Sequence, residues 1–254
     1  MKIVSYNVNG IRAAIKKGFV EWLSENDFDI VCIQETKANE EQVETSGIKG
    51  LGYQIYWFGA QKKGYSGVAI FSKIKPLKII LGQNNEKSDF EGRTLQLEFE
   101  KFTLINTYFP SGSSGEIRQA FKYDFLDNYF EFIKEKKAAG KNLIIVGDYN
   151  ICHLDIDIHN PSKQHKSSGF LPPERAWMDK WFTNNMVDSF RKVKGNITDK
   201  FSWWSYRAGA RNNNKGWRID YISVSKELES NIKDADILSE VKHSDHCPIY
   251  LEIF

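Results

Sequence analysis

Five short segments at distant points of the chain each set hard oxygen or imidazole groups beside a strand-like apolar run. They are Ser5-Tyr6-Asn7-Val8-Asn9, Ile33-Gln34-Glu35-Thr36-Lys37, Val146-Gly147-Asp148-Tyr149-Asn150, Gly216-Trp217-Arg218-Ile219-Asp220-Tyr221 and His243-Ser244-Asp245-His246. Strand ends so far apart in sequence meet only in a folded site. Acids of one sign brought together there repel unless a cation or a reacting group joins them. Glu35, Asp148, Asp220, Asp245, Asn7 and Asn150 offer oxygens, and only His246 offers nitrogen, which suits Mg²⁺ better than a thiolate-bound metal. The pattern reads as a metal-assisted phosphodiesterase site.

The chain has 254 residues, 41% of them hydrophobic and 14% aromatic, enough for a large core. Net charge is +2, too small to argue for nucleic acid by itself. Its distribution says more. Between Arg191 and Arg218 eight basic residues face a single acid, Asp199, with Phe201, Trp203, Trp204, Tyr206 and Trp217 among them. Such a stretch fits either phosphates and bases or a solvated loop beside an aromatic core. Cys32, Cys152 and Cys247 are odd in number and far apart, which predicts reduced structural thiols. With no long apolar stretch and no leader pattern, the expected setting is cytoplasmic, without a membrane.

Strand-like runs recur at Ile3–Val8, Ile30–Gln34, Tyr53–Phe58, Val68–Phe71, Leu95–Phe99, Phe102–Tyr108, Leu143–Val146, Ile219–Val224 and Ile249–Ile253. Helical spacing appears at Phe19, Trp22 and Leu23, then at Ile117, Phe121, Phe125, Tyr129 and Ile133 with Gly140 as a stop, and again from Pro173 through Trp177 and Trp181. Strands outnumber helices and neighbours look like hairpins at 53–71 and 95–108. This predicts an α/β fold of mixed, mainly antiparallel sheets with helices outside, rather than a doubly wound parallel sheet. No linker or repeat divides residues 1–254, so one domain is expected.

Together these segments resemble the exodeoxyribonuclease III family of apurinic/apyrimidinic endonucleases, within the wider endonuclease/exonuclease/phosphatase fold. The likeness runs from Lys2 to Phe254. It is carried by Asp29-Ile-Val-Cys-Ile-Gln-Glu-Thr-Lys37, by Asp188-Ser-Phe-Arg-Lys192 with Phe201-Ser-Trp-Trp204, and by Asn214-Lys-Gly-Trp-Arg-Ile-Asp-Tyr221. The resemblance implies a four-layered α/β sandwich of two packed sheets flanked by helices. It implies Mg²⁺-dependent cleavage of duplex DNA on the 5′ side of an abasic site, with Mn²⁺ as an alternative ion, and 3′-end trimming that extends to blocked 3′ ends. A monomer is expected.

The resemblance also implies residue roles. Glu35 is the principal Mg²⁺ ligand, helped by Asn7 and Asp245. Asp148 aims or deprotonates the attacking water, and Asn150 and Tyr108 touch the phosphate. Asp220 orients His246, which faces the phosphate. Trp203, Trp217 and Ile219 line a pocket for an extrahelical sugar without a base, and Tyr65 and Arg118 hold the DNA backbone. Read alone, His153, Asp155, Asp157, His159 and His165 suggest zinc, but strict alternation places the first four on one strand face, a poor tetrahedral cage. Three departures stand out: Asn9 where many relatives carry Asp, Ser111 in place of an amide, and Ser223 inside an apolar strand. Three alternatives remain on sequence: a mainly 3′-5′ exonuclease, a phosphoesterase acting on a non-DNA ester, and a non-catalytic DNA-binding protein on the same fold.

Overall fold

The computed structural model describes residues 1–254. Six strands form one sheet: β1 (Lys2–Asn7), β2 (Ile30–Gln34), β3 (Gln54–Phe58), β4 (Val68–Ser72), β11 (Ile232–Ile237) and β12 (Ile249–Ile253), in the order β11-β12-β1-β2-β4-β3. Six more form the other: β5 (Lys78–Leu81), β6 (Thr94–Glu98), β7 (Thr103–Tyr108), β8 (Leu143–Asp148), β9 (Met186–Asp188) and β10 (Asp220–Ser225), in the order β5-β6-β7-β8-β10-β9. Each sheet holds one parallel pair at its centre, β1 with β2 and β7 with β8, and every other pairing is antiparallel. Seven helices accompany them: α1 (Ile11–Lys16), α2 (Phe19–Glu25), α3 (Ser46–Gly50), α4 (Glu86–Phe90), α5 (Glu116–Ala138), α6 (Pro172–Thr183) and α7 (Ser189–Lys194).

The central strands are apolar on both faces because both faces are covered. Ile3, Ile30 and Cys32 point to the other sheet and meet Leu104, Ile144 and Val146. Val4, Tyr6, Val31 and Ile33 point outward onto Ile11, Ala14, Phe19 and Leu23 of α1 and α2. On the far side Ile105, Leu143 and Ile145 lie under Phe125, Tyr129 and Ile133 of α5 and Trp177 and Trp181 of α6. The result is the expected helix–sheet–sheet–helix sandwich. Near the site end of the sheets the filling turns polar. Gln34 Nε2 donates to Asn106 Oδ1 (2.7 Å) and Ser5 Oγ (2.9 Å), while Asn106 Nδ2 donates to the Ile33 and Ala69 carbonyls. These bonds pin one sheet to the other directly beneath the catalytic strand ends.

Two expectations need correction. Ile117 belongs to the predicted apolar stripe of α5 but is 87% exposed, because in the first turn of the helix it lies outside the core cluster that Phe125, Tyr129 and Ile133 join. Asp155–Asp157 is a turn of 3₁₀ helix, so His153, Asp155, Asp157 and His159 do not alternate along a strand. Three of these side chains have other partners: His153 bonds Asp179, Asp155 pairs with Arg175, and Asp157 is buried against Arg218 and Arg191. The three cysteines are free and buried, and no helix is long and apolar enough to cross a membrane.

Candidate active site

Strand register assembles the centre. In one sheet Asp148 closes β8, directly opposite Tyr108 at the end of β7 and Asp220 at the start of β10. In the other, Asn7 closes β1 beside Gln34 of β2, one residue before Glu35. The Asn7 amide spans the two sheets, since its Nδ2 donates to Glu35 Oε1 (3.0 Å) and to Asp148 Oδ2 (2.9 Å). Two carboxylates that would repel are thereby held by one neutral donor. Asn9, Glu35, Lys37 and Asn150 all have φ near +50°, so the chain leaves these strands through left-handed residues. For Glu and Lys that conformation costs energy and persists only where the surroundings impose it.

Glu35, Tyr108, Asp148, Asn150, Asp245 and His246 open onto one cleft of about 690 Å³. Trp203, Trp217 and Ile219 form its apolar wall, the two indoles meeting edge to face at 5.9 Å. The His246 Nδ1–H donates to Asp220 Oδ2 (2.9 Å), because a carboxylate can only accept, and Nε2 is left facing Asp148 Oδ2 at 3.8 Å. Burial disfavours the imidazolium, but Asp220 and then Asp148 outweigh it and raise His246 to about 10. Burial, then repulsion from Asp220, lifts the Asp148 carboxyl to about 8. Burial also opposes the Glu35 anion, yet the Lys37 ammonium 2.8 Å away keeps its carboxyl below the usual range. Burial and the Glu35 charge push the Tyr108 phenol well above its ordinary value, so it stays a protonated donor.

Ligand atoms of Glu35, Asp148 and His246 lie within 4.8 Å of one another. Their carboxylate oxygens suit a hard divalent cation, and a cation there would relieve the strained Asp148 anion. Asp245 lines the same cleft. Its Oδ1 accepts from Asn9 Nδ2 (2.9 Å) and Ser244 Oγ (3.1 Å), and its Oδ2 from Trp203 Nε1 (3.0 Å). Its carboxylate is engaged with neighbouring side chains and ties the apolar wall to the polar floor. Asn150 Nδ2 donates to the Phe109 carbonyl and to Asp148 Oδ2.

Tyr65 and Arg118 stand beside the cleft in a polar network. The Tyr65 hydroxyl accepts from Arg93 and Arg118, and Glu91 pairs with both guanidiniums. Arg93, absent from the sequence reading, is buried and stacks over the Tyr108 ring at 4.7 Å while donating to its carbonyl. Nothing in the sequence around Arg93 marks it. Ser202 is a second unforeseen participant: its hydroxyl donates to Asp220 Oδ2 (2.6 Å) and accepts from the Ile219 and Asp220 amides. Ser223, an oddity in its strand, is a buried bond partner of Tyr149 and Trp181. The basic stretch is largely internal. Arg191 and Arg218 pair with Asp157, Lys192 with Glu229 and Lys194 with Asp234, and Arg211 donates to four carbonyls. Lys200, Arg207 and Lys215 have no ion-pair partner.

The model of the endonuclease/exonuclease/phosphatase family matches residues 4–246. An exodeoxyribonuclease of Bacillus subtilis is 42% identical over 254 residues, covering 100% of this chain and 99% of its own. A DNA-(apurinic or apyrimidinic site) endonuclease of Dictyostelium discoideum is 37% identical over 98% of this chain and 69% of its own length. Among solved structures, a 3′-5′ exonuclease from Neisseria meningitidis superposes with a TM-score of 0.92 at 27% identity, covering 100% of this chain and 99% of that one. Two sandwiched six-stranded sheets, the acid–amide–imidazole centre between their strand ends, and relatives matched along 98–100% of this chain agree: this chain belongs to the endonuclease/exonuclease/phosphatase family, in its exodeoxyribonuclease III and abasic-site endonuclease group.

Proposed function

We propose that this protein is a Mg²⁺-dependent DNA repair nuclease that hydrolyses the phosphodiester on the 5′ side of an abasic site and leaves a 3′-hydroxyl, with 3′-5′ trimming of ordinary or blocked 3′ ends by the same chemistry. The observation that carries this reading is the cleft itself. A hydrolytic pair of Asp148 and Asp220-oriented His246 stands within a few ångströms of Glu35, against a wall of Trp203, Trp217 and Ile219.

Glu35 and Asp148 are the residues to hold Mg²⁺, which supplies a Lewis acid for the phosphate and the leaving oxygen. Asp148 aims the attacking water in line with the departing 3′ oxygen, and its position at a strand end fixes that aim. His246 donates from Nε2 to a phosphate oxygen, its charge sustained by Asp220. Tyr108 donates its phenolic hydrogen, and Asn150 bonds a phosphate oxygen. The indole wall admits a flipped sugar that lacks a base and collides with an intact nucleotide, which must also be unstacked. Arg118 and Tyr65 steady the backbone beside the cleft, while Lys200, Arg207 and Lys215 supply a smaller electrostatic contribution than the charge count of 191–218 suggests.

The test is cleavage of an end-labelled duplex with one abasic-site analogue, resolved on a gel with Mg²⁺ or with chelator. One Mg²⁺-dependent cut on the 5′ side is expected, and it should vanish in Asp148→Asn and His246→Ala. Undiminished cutting by both variants would sink the assignment. Intact abasic DNA alongside brisk shortening of 3′ ends would make the protein an exonuclease only.

A further inference from the structure

Behind the site lies an ion pair that the chemistry above leaves unused. Lys122 of α5 and Glu174 of α6 bond each other with no solvent exposure on either side chain. Burying both charges is expensive unless every donor and acceptor is met. Here two of the three ammonium hydrogens and both carboxylate oxygens have partners, and backbone of two separate cleft segments supplies several of them. Lys122 Nζ donates to the Asn150 carbonyl (2.8 Å), two residues after Asp148. Glu174 Oε2 accepts from the Gly169 amide (2.6 Å) and the Leu171 amide (2.9 Å), while Oε1 also accepts from Gln119. Gly169 and Leu171 line the side of the cleft next to Trp217, and Asn150 lines its floor. The two segments nearly touch: a Cβ on Gly169 would come within 3.0 Å of the Asn150 carbonyl and 3.1 Å of the Trp217 ring. The Gly169 carbonyl in turn accepts from Cys152.

We infer that Lys122 and Glu174 are a positioning pair that sets the distance between the catalytic floor at Asp148–Asn150 and the pocket wall at Gly169–Trp217. The polarity of the pair is what does this. A cation faces a carbonyl and an anion faces two amides, so each charge grips one wall by a charge-assisted bond. The inference rests on the proposed function only for its substrate, because any phosphodiester hydrolysed in this cleft needs the same floor.

The experiment compares Lys122→Met, Glu174→Gln, the apolar double variant K122M/E174L and the swapped pair K122E/E174K. Replacing a buried pair by apolar groups is often neutral for stability, so the double variant should fold even if the single ones are weakened. Expected is a loss of kcat of about 10- to 100-fold with little change in KM, the scale of a misplaced catalytic group. It should appear on both abasic-site incision and release of a 3′-terminal nucleotide. The swap restores charge balance but turns an anion to the Asn150 carbonyl and a cation to the amides, so it should not rescue. Amide hydrogen exchange gives a second readout without substrate: Gly169 and Leu171 should exchange faster in Glu174→Gln, and Asn150 in Lys122→Met. Glu131→Gln, which breaks an exposed pair on the same helix, is the control expected to change nothing. Full kcat in the folded apolar double variant, or rescue by the swap, would overturn the inference and leave the pair a stabilising contact. If the parent protein does not incise abasic DNA, the substrate assignment fails while 3′-nucleotide release and exchange still judge the pair.

Discussion

Asp157 has no solvent exposure and two guanidinium partners, Arg218 and Arg191, with Arg218 reaching on to Asp188. Burial opposes its charge, but Arg218 and then Arg191 hold its carboxyl below the usual aspartate range. The sign of the linkage follows. A folded value below the unfolded one, about 3.9, gives stability that is fully present above that pH and disappears as pH falls through the folded value. Asp157→Asn should therefore cost about 3–5 kcal/mol at neutral pH by stranding a buried guanidinium. It should also flatten the acid limb of stability measured by urea unfolding across pH, and an unchanged acid limb would refute this account. In the sequence Asp157 looks like one of several alternating metal-ligand candidates, and only the 3₁₀ turn reveals it as an anchor. The same holds for Arg93, which no motif flags because, beyond nearby Glu91, its partners Tyr65 and Tyr108 come from separate segments. Residues within local motifs, such as Glu35, Asp148 and His246, could be found from sequence because their motifs sit at strand ends, whose meeting is a matter of register.

The parallel pair β7/β8 shows how an element fixes the site. Gly147, next to Asp148, has φ +146°, and a Cβ there would come 1.8 Å from the Thr107 carbonyl oxygen. Only glycine allows β8 to approach β7 so closely beside Asp148. Gly147→Ala should lose about 1–3 kcal/mol from backbone strain and a further 1–3 from overpacking. Urea denaturation would reveal it, and a variant as stable as its parent would show that the strands part without cost. The long elements were readable from sequence: doubly covered strands are continuous apolar runs, and α5 repeats buried Phe125, Tyr129 and Ile133 at one-turn spacing. The short ones were not. α1, α3, α4 and α7 have five or six residues each, below the length at which periodicity separates helix from chance. β11 reads Ile-Lys-Asp-Ala-Asp-Ile, with two acids that seldom favour a strand, and it holds its place through β12.

At the scale of the whole molecule, Glu35 and Asp148 come from opposite sheets, so a cation shared by them bridges the two halves of the sandwich. Such a cation would bind the folded state alone. Mg²⁺ at 100 times its dissociation constant should then raise unfolding free energy by about 2.7 kcal/mol. Thermal denaturation with and without chelator should show the gain in the parent and its loss in Glu35→Gln. Equal shifts in both would place the ion elsewhere.

The first sheet also closes late. β12 fills the gap between β11 and β1, and Lys2 takes Glu252 as its partner. During synthesis, then, β1 waits with one edge bare for nearly the entire chain, and His246 emerges only just ahead of the strand that completes the sheet. A nascent chain that has not yet reached His246 holds Glu35 and Asp148 without the imidazole that faces them in the folded site. The centre and the sheet that carries Asn7 and Glu35 are therefore completed in one step.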